Sequence, residues 1–386
     1  MASCGGSIRL GTNPDCGTLS AVNRSLTLHA EATGANCISS RIGTPSGVEV
    51  RVTTGSNYSL DHSVTPWLPP LLAAGMRHRW DVDFDAPVDS VALRNALKAQ
   101  SVLRSWYPRR FHKISIAAEP VHNVSEATGV GCFFSGGVDS FYSAITQSER
   151  ITHLIFVHGF DIHIDDEELA SKALAGAREA AADLGKPLIE IKTTVRSALG
   201  DPLQLEWGGV FHGPALAHVG LALSEHLSTV IIPSSYSYRQ LHPWGSHPDL
   251  DPLWSSGAVA FEHHELEQDR YGKIRRIGGN ETAMNHLRVC WENPNGSFNC
   301  GRCGKCTRTK VGLALAGAES VTLPGSIDKD AARRMKLMVW DRRQLRDGLA
   351  AMQKSGTLDA GVRKALRKAI RRSYFHSAAL SLRSRF

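Results

Sequence analysis

Gly129-Val130-Gly131-Cys132-Phe133-Phe134 runs without a break into Ser135-Gly136-Gly137-Val138-Asp139-Ser140. The first six residues read as a short buried strand, and the next six as a turn that opens a helix. Glycines let the backbone turn tightly and approach an anion closely. A helix that starts there presents unpaired N–H groups and the positive end of its dipole, the elements of a phosphate site. Ser135 and Ser140 add hydroxyl donors. Asp139 would repel a phosphate, and its presence is explained if it contacts a Mg²⁺ ion that bridges phosphates. The G-K-[ST] ending of the common nucleotide loop is missing, so this is a different kind of phosphate cradle.

On the C-terminal side of this stretch the rhythm stays strand–helix. THLIFVHG (152–159) is a second strand, DDEELASKALAGAREAAADLG (165–185) a helix, PLIEIKT (187–193) a third strand, GPALAHVGLALSEHL (213–227) a helix and STVIIPSS (228–235) a fourth strand. Strands alternating with helices predict an α/β fold, an open parallel sheet with helices on both faces. Ligands of such sheets lie beyond the carboxyl ends of the strands. That edge holds His158 to Asp161 after the second strand, Thr193 to Arg196 after the third, and Ser234, Ser235 and Tyr236 after the fourth.

The flanks differ in character. Residues 1–45 are rich in Gly, Ser, Thr and Asn and are expected to be poorly ordered. Residues 46–123 predict a small α+β domain, with strands at VEVRVTT and RHRWDVDFD and a helix capped at Asp89 or Ser90. That helix is expected to bury Val91, Leu93, Leu97 and Val102. The nucleotide domain spans 127–315, and 325–386 is a basic helical tail. Over 331–386 there are 15 Lys/Arg against 3 Asp/Glu, a balance of +12 that leaves −5 for the rest of a chain whose formal net charge is +7. Basicity therefore belongs to the tail. There, Val362, Ala365, Leu366, Ala369 and Ile370 form one helical face, and Arg363, Lys364, Arg367, Lys368, Arg371 and Arg372 cover the rest. A solvated helix docked by its apolar side is one reading, and a surface for RNA or another acidic partner the other. No run of 18 apolar residues and no leader-like segment appears, which points to a cytoplasmic protein.

Of eight cysteines, Cys290, Cys300, Cys303 and Cys306 crowd into 17 residues. In a reducing compartment such crowding indicates a metal site. Four thiolates that close a tetrahedral shell are a structural zinc pattern, with an iron–sulfur cluster as the alternative. Lys305, Arg308 and Lys310 would offset their negative charge. Cys4, Cys16, Cys37 and Cys132 are scattered.

Ser135-Gly136-Gly137-Val138-Asp139-Ser140 matches the SGGxDS signature, and the chain over about 127–315 resembles the N-type ATP pyrophosphatases, the PP-loop class. Five fixed positions at roughly 7% usage each would match by chance in on the order of one chain in a thousand. Together with the four cysteines, the loop is similar to one branch, the cyanodeazaguanine synthases of queuosine biosynthesis. The resemblance implies ATP, Mg²⁺ and Zn²⁺ as cofactors and an adenine ring framed by His158 and Ser234–Tyr236. It also implies a substrate stretch at His247-Pro248-Asp249-Leu250-Asp251-Pro252-Leu253-Trp254, where that branch has Tyr-Pro-Asp-Cys-Arg-Pro-Glu-Phe. Asp251 thus stands where the branch has Arg, and Asp161 lies in a segment that also departs from it. The acceptor is therefore expected to differ from a deazaguanine.

The activity implied is adenylation of a small-molecule carboxylate or amide, with release of pyrophosphate, then displacement of AMP by a nitrogen nucleophile. Asp161, Arg196, His247, Asp249 and Asp251 are the candidate catalytic and substrate residues. Arg196 leads Lys172, Arg239 and Lys273 as the cation for the phosphates. Sulfur transfer to a nucleobase or tRNA is the rival within the class, and a non-catalytic nucleotide- or RNA-binding module the rival outside it. The partners expected are ATP and a small-molecule substrate, with a homodimer left open.

Overall fold

The computed structural model describes residues 24–323, 325–335, 337, 341–355 and 359–383. β1 (Ser25–Glu31), β2 (Cys37–Gly43) and β3 (Glu49–Ser56) form an antiparallel meander. Next come α1 (Leu68–His78), β4 (Asp81–Phe84), β5 (Val88–Asp89), α2 (Ser90–Trp106), β6 (Ile116–Ala117) and β7 (Pro120–Val121). The alternating part is β8 (Gly129–Phe133), α3 (Val138–Thr146), β9 (His153–His158), α4 (Glu167–Asp183), β10 (Leu188–Thr193), α5 (His212–Ala222), β11 (Leu227–Pro233) and β12 (Ala260–His264). It is followed by α6 (Arg270–Ile277), α7 (Glu281–His286), α8 (Gly304–Ala316), α9 (Lys329–Arg334), α10 (Asp341–Ser355) and α11 (Ala360–Arg383).

Ten strands join one mostly parallel sheet in the order β12-β11-β8-β9-β10-β3-β2-β1-β4-β6. From β12 to β10 every pairing is parallel. In that half the chain starts at the central strand β8, steps outward to β9 and β10, then returns to β11 and β12 on the other side of β8. This is the doubly wound order, and its switch point lies between β8 and β11. Side chains alternate between two cores. Cys132, Phe134, Leu154, Phe156 and Ile231 pack with α3 and α4. Phe133, Ile155, Val230 and Ile232 pack with α1, α2 and α5. Successive residues of a strand point to opposite faces, so helices cover both sides.

The N-terminal part shares a sheet and a core with the alternating part. β3 pairs antiparallel with β10, with Thr54 opposite Thr193, and the core of α1 and α2 is continuous with that of α5. β1 and β2 fall inside the stretch 1–45 that was expected to lack order, while 1–23 lie outside the described residues. α2 is capped by the Asp89 carboxylate, which accepts from the Ala92 amide at 2.8 Å. Its buried face is Ala92, Ala96, Ala99 and Leu103, and Leu97 is 59% exposed. Of the expected face, Leu93 and Val102 are half-buried and pack against the same core, while Leu97 does not.

A buried histidine fastens the two parts. His218 on α5 shares a hydrogen bond between Nε2 and Thr54 Oγ1 at 2.8 Å and one between Nδ1 and the Pro66 carbonyl at 2.9 Å. Burial pushes its pKa down to about 4. An unfolded histidine titrates near 6.5. The stabilisation is therefore complete above pH 6.5 and fades as pH falls toward 4, because the unfolded chain binds the extra proton. The loss amounts to about 3 kcal/mol. Urea unfolding from pH 7 to pH 4 checks this: the stability difference between wild type and His218→Asn should shrink across that window.

Candidate functional site

The loop between β8 and α3 sits at the carboxyl end of the sheet, at the switch point. Gly136 has φ +74°, a left-handed conformation that glycine adopts without strain. Gly137 caps α3 with no side-chain hydrogen bond, so the first amides of the helix stay open to a ligand. Ser140 Oγ donates to the Gly137 carbonyl at 3.1 Å. Next to the loop, Gly159 takes φ +108° where β9 ends, and a Cβ there would overlap the Thr193 carbonyl oxygen. This close crossing carries Asp161 to the loop.

One pocket gathers residues from three expected groups. It is lined by Ser135, Gly137, Asp139 and Ser140 of the loop, by Asp161, and by Cys290, together with Val138, Val289, Arg270, Arg288 and Lys305. Asp139 Oδ2 lies 3.5 Å from Arg270 Nη1. Its Oδ1 is 3.4 Å from Lys273 Nζ, yet it is buried and accepts no hydrogen bond. Lys273 is 1% exposed and donates to the Ser234 carbonyl at 2.6 Å. Arg288 is 6% exposed, donates from Nη2 to Asn293 Oδ1 at 2.8 Å, and leaves its buried Nε without a hydrogen bond. Burial lowers the Arg288 pKa, opposed by the Asp161 carboxylate.

The expected cations are largely elsewhere. Arg196 stacks its guanidinium 4.5 Å from the Trp207 ring, donates to the Phe160 carbonyl and lies 3.7 Å from Asp201. It is not among the residues lining the pocket. It lies in the first of two π-helical turns, Val195–Gly200 and Trp207–Phe211, that bridge β10 to α5. Lys172 pairs with Glu168 at 2.6 Å on the surface of α4, and Arg239 is exposed. Of the four candidates, Lys273 alone reaches the loop. Arg270 and Arg288, which do line the pocket, carry no local sequence signal.

The expected adenine-framing residues have internal partners. His158 Nε2 is 3.1 Å from the His163 carbonyl. Ser234 Oγ donates to the Glu265 carbonyl. Ser235 is exposed, and Tyr236 packs edge-on against His242 and Trp244, with ring centroids 4.5 and 5.6 Å away. The stretch 247–254 does not line the pocket. His247 lies edge-on to Trp106, with centroids 4.8 Å apart, and Leu250 and Trp254 are buried in the core. Asp251 is 0% exposed. It accepts from Ser246 Oγ at 2.6 Å and lies 2.7 Å from His263 Nδ1, so the expected substrate contact is here an internal clamp. Asp249 is exposed.

The Sγ atoms of Cys290, Cys300, Cys303 and Cys306 all lie within 4.8 Å of one another. Two of the pairs, Cys290–Cys303 and Cys300–Cys306, are separated by 3.9 Å. Sulfurs at about 2.3 Å from one tetrahedral zinc would stand about 3.8 Å apart, so the set fits a single metal ion. Cys303 caps α8, its sulfur accepting from the Cys306 amide at 3.4 Å. Asn299 holds the segment, accepting from the amides of Val289 and Cys290 and donating to the carbonyls of Leu287 and Thr322. Cys132 is buried, and burial pushes its thiol pKa far up, which leaves it unreactive.

In the tail, Val362, Ala365, Leu366, Ala369 and Ile370 pack with α8, α9 and α10, while Lys364, Lys368 and Arg371 are exposed. Among the described residues no helix is long and apolar enough to cross a membrane. Comparison with protein-family models, with curated proteins and with solved structures finds no match to this chain.

Proposed function

We propose that this chain is an AMP-forming ATP pyrophosphatase of the PP-loop class, one that adenylates a small-molecule carboxylate or amide and passes it to a nitrogen nucleophile. One observation carries the reading. A glycine turn with an uncapped helix N-terminus stands at the switch point of a doubly wound sheet, ringed by Arg270, Arg288 and Lys305. The open amides and the two serine hydroxyls hold phosphate oxygens. The three cations stabilise the charge that builds on pyrophosphate as it leaves. A substrate oxygen attacks the α-phosphorus, the bond to the β-phosphate oxygen breaks, and the nucleophile later displaces AMP from the acyl or imidoyl carbon.

Asp139 and Asp161 are the two carboxylates of the pocket, and the buried Oδ1 of Asp139 accepts no hydrogen bond, with Lys273 Nζ 3.4 Å away. They would hold Mg²⁺, which supplies charge neutralisation across the phosphates. A zinc ion held by the four cysteines supplies a structural cross-link.

Two outcomes are expected. Nucleotide analysis of a turning-over reaction should find AMP and pyrophosphate; ADP and phosphate would overturn the class, and binding without turnover would favour a non-catalytic nucleotide- or RNA-binding module. Elemental analysis should find about one zinc per chain, and Cys306→Ser should lose most of it and unfold the segment around 287–306. Iron with visible absorbance would replace the zinc reading by a cluster.

A further inference from the structure

The cations of the pocket come from unrelated segments, and two of them ride on the cysteine set. Arg288 stands two residues before Cys290, and Lys305 stands between Cys303 and Cys306. The Arg288 amide donates to the Gly136 carbonyl at 2.8 Å, so the strand of chain leading into the first cysteine is bonded to the turn of the phosphate loop. A Cβ on Gly136 would stand 3.5 Å from Arg288 Cβ, which is direct packing. Cys290 itself lines the pocket. Arg288 Nε is buried there without a hydrogen bond, which is the state of a donor prepared for an anion. Between α7 and α8 the chain has no helix or strand apart from a short turn at Pro294–Gly296. A metal cross-link in a connection of that kind adds to the hydrogen bonds of Asn299 in restricting the side chains at its ends.

We propose that the cysteine set and the phosphate loop form one cooperative unit, in which metal at the four thiolates and polyphosphate at Ser135–Ser140 reinforce each other's binding through Arg288 and Lys305. The inference rests on the nucleotide reading above for the identity of the anion. The cross-link holds the two cations over the loop; the anion, once bound, holds them against the metal segment. Such coupling is reciprocal, with typical factors of roughly 5 to 150. It makes the metal a determinant of nucleotide affinity without a role in the chemical steps.

The test uses the full chain in three forms: metal-loaded, chelator-stripped, and metal-loaded Arg288→Gln. Hydrogen exchange of peptides covering 131–146 reads the loop directly. Calorimetry with Mg·ATP and with inorganic pyrophosphate reads the anion. A chromogenic chelator reads metal release with and without pyrophosphate. The expected results are faster exchange in the loop on stripping, with β9 and β10 peptides unchanged, and about 10- to 100-fold weaker anion binding. Pyrophosphate should slow metal release by a similar factor in wild type and much less in Arg288→Gln at equal metal content. If stripping unfolds the whole chain, the release experiment on loaded protein decides alone. Loop exchange and metal release that ignore each other's ligand would overturn the proposal. If loaded protein binds no nucleotide or pyrophosphate, the nucleotide reading fails, and loss of loop protection on stripping still supports the unit while unchanged protection refutes it.

Discussion

Asp139→Asn is expected to weaken Mg·ATP binding about 100-fold, roughly 2.7 kcal/mol, while Mg²⁺-free ATP binds as well as before or better. The opposite signs follow from where the carboxylate sits. It lies in the first turn of α3, in the pocket with Ser135 and Ser140, its Oδ1 buried and without a hydrogen bond. Against a bare triphosphate it is a like charge at close range, and its removal relieves repulsion. Against a metal-bound triphosphate it is a ligand, and the amide is a far poorer one for a hard cation. Calorimetry at saturating Mg²⁺ and in chelator separates the two. Equal losses under both conditions would show that Asp139 merely holds Lys273 and Arg270 in place, which the 3.4 and 3.5 Å separations also allow.

The parallel half of the fold was legible because its strands are near-continuous apolar runs, and β8 to β11 lie where those runs predict them. Of the N-terminal meander only β3 was, as VEVRVTT; β1 and β2 were not, for a reason visible in the side chains. β2 is CISSRIG, and Ser39 and Ser40 are both buried, as is Thr54 on β3. Ser39 Oγ donates to Glu31 Oε2 at 2.6 Å, and Thr54 Oγ1 pairs with Thr193 Oγ1 at 2.7 Å. Polar side chains buried inside a sheet look like a surface stretch to any hydropathy reading, whether satisfied, as Ser39 and Thr54 are, or not, as with Ser40 Oγ. Nor can pairing across nearly 140 residues, Thr54 with Thr193, be read from local periodicity.

The candidate site divides in the same way. The loop and the four cysteines are local patterns, each complete within a few residues, and the fold brings the loop and the first of the cysteines, Cys290, to one pocket. The cations are not local. Arg270 arrives from the start of α6 and Arg288 from the segment after α7, and nothing beside them in the chain marks either one. Arg196 stood at a strand end and carried the right charge, but its planar guanidinium found the Trp207 ring and a backbone carbonyl instead.

Asp251→Ala should cost about 3–5 kcal/mol of unfolding free energy, the range for removing one partner of a buried, hydrogen-bonded carboxylate cluster. The carboxylate has no contact with water. Its Oδ2 takes the Ser246 hydroxyl and lies 2.7 Å from His263 Nδ1 on β12, and its Oδ1 is 3.3 Å from the His247 amide. Those three partners belong to the loop after β11 and to the sheet edge, so the carboxylate ties one to the other. Removing it leaves a buried hydroxyl and a buried ring nitrogen without their acceptor, and each carries a desolvation penalty. Two residues away, Asp249 is exposed, its carboxylate 3.6 Å from His247 Nδ1. Asp249→Ala should therefore stay within about 0.5 kcal/mol of wild type. Urea unfolding of the two variants side by side reads the contrast. If Asp251→Ala unfolds at the wild-type midpoint but abolishes turnover, the carboxylate faces substrate after all, as the resemblance at 247–254 implied. If both variants lose stability equally, the clamp is the loop as a whole rather than Asp251.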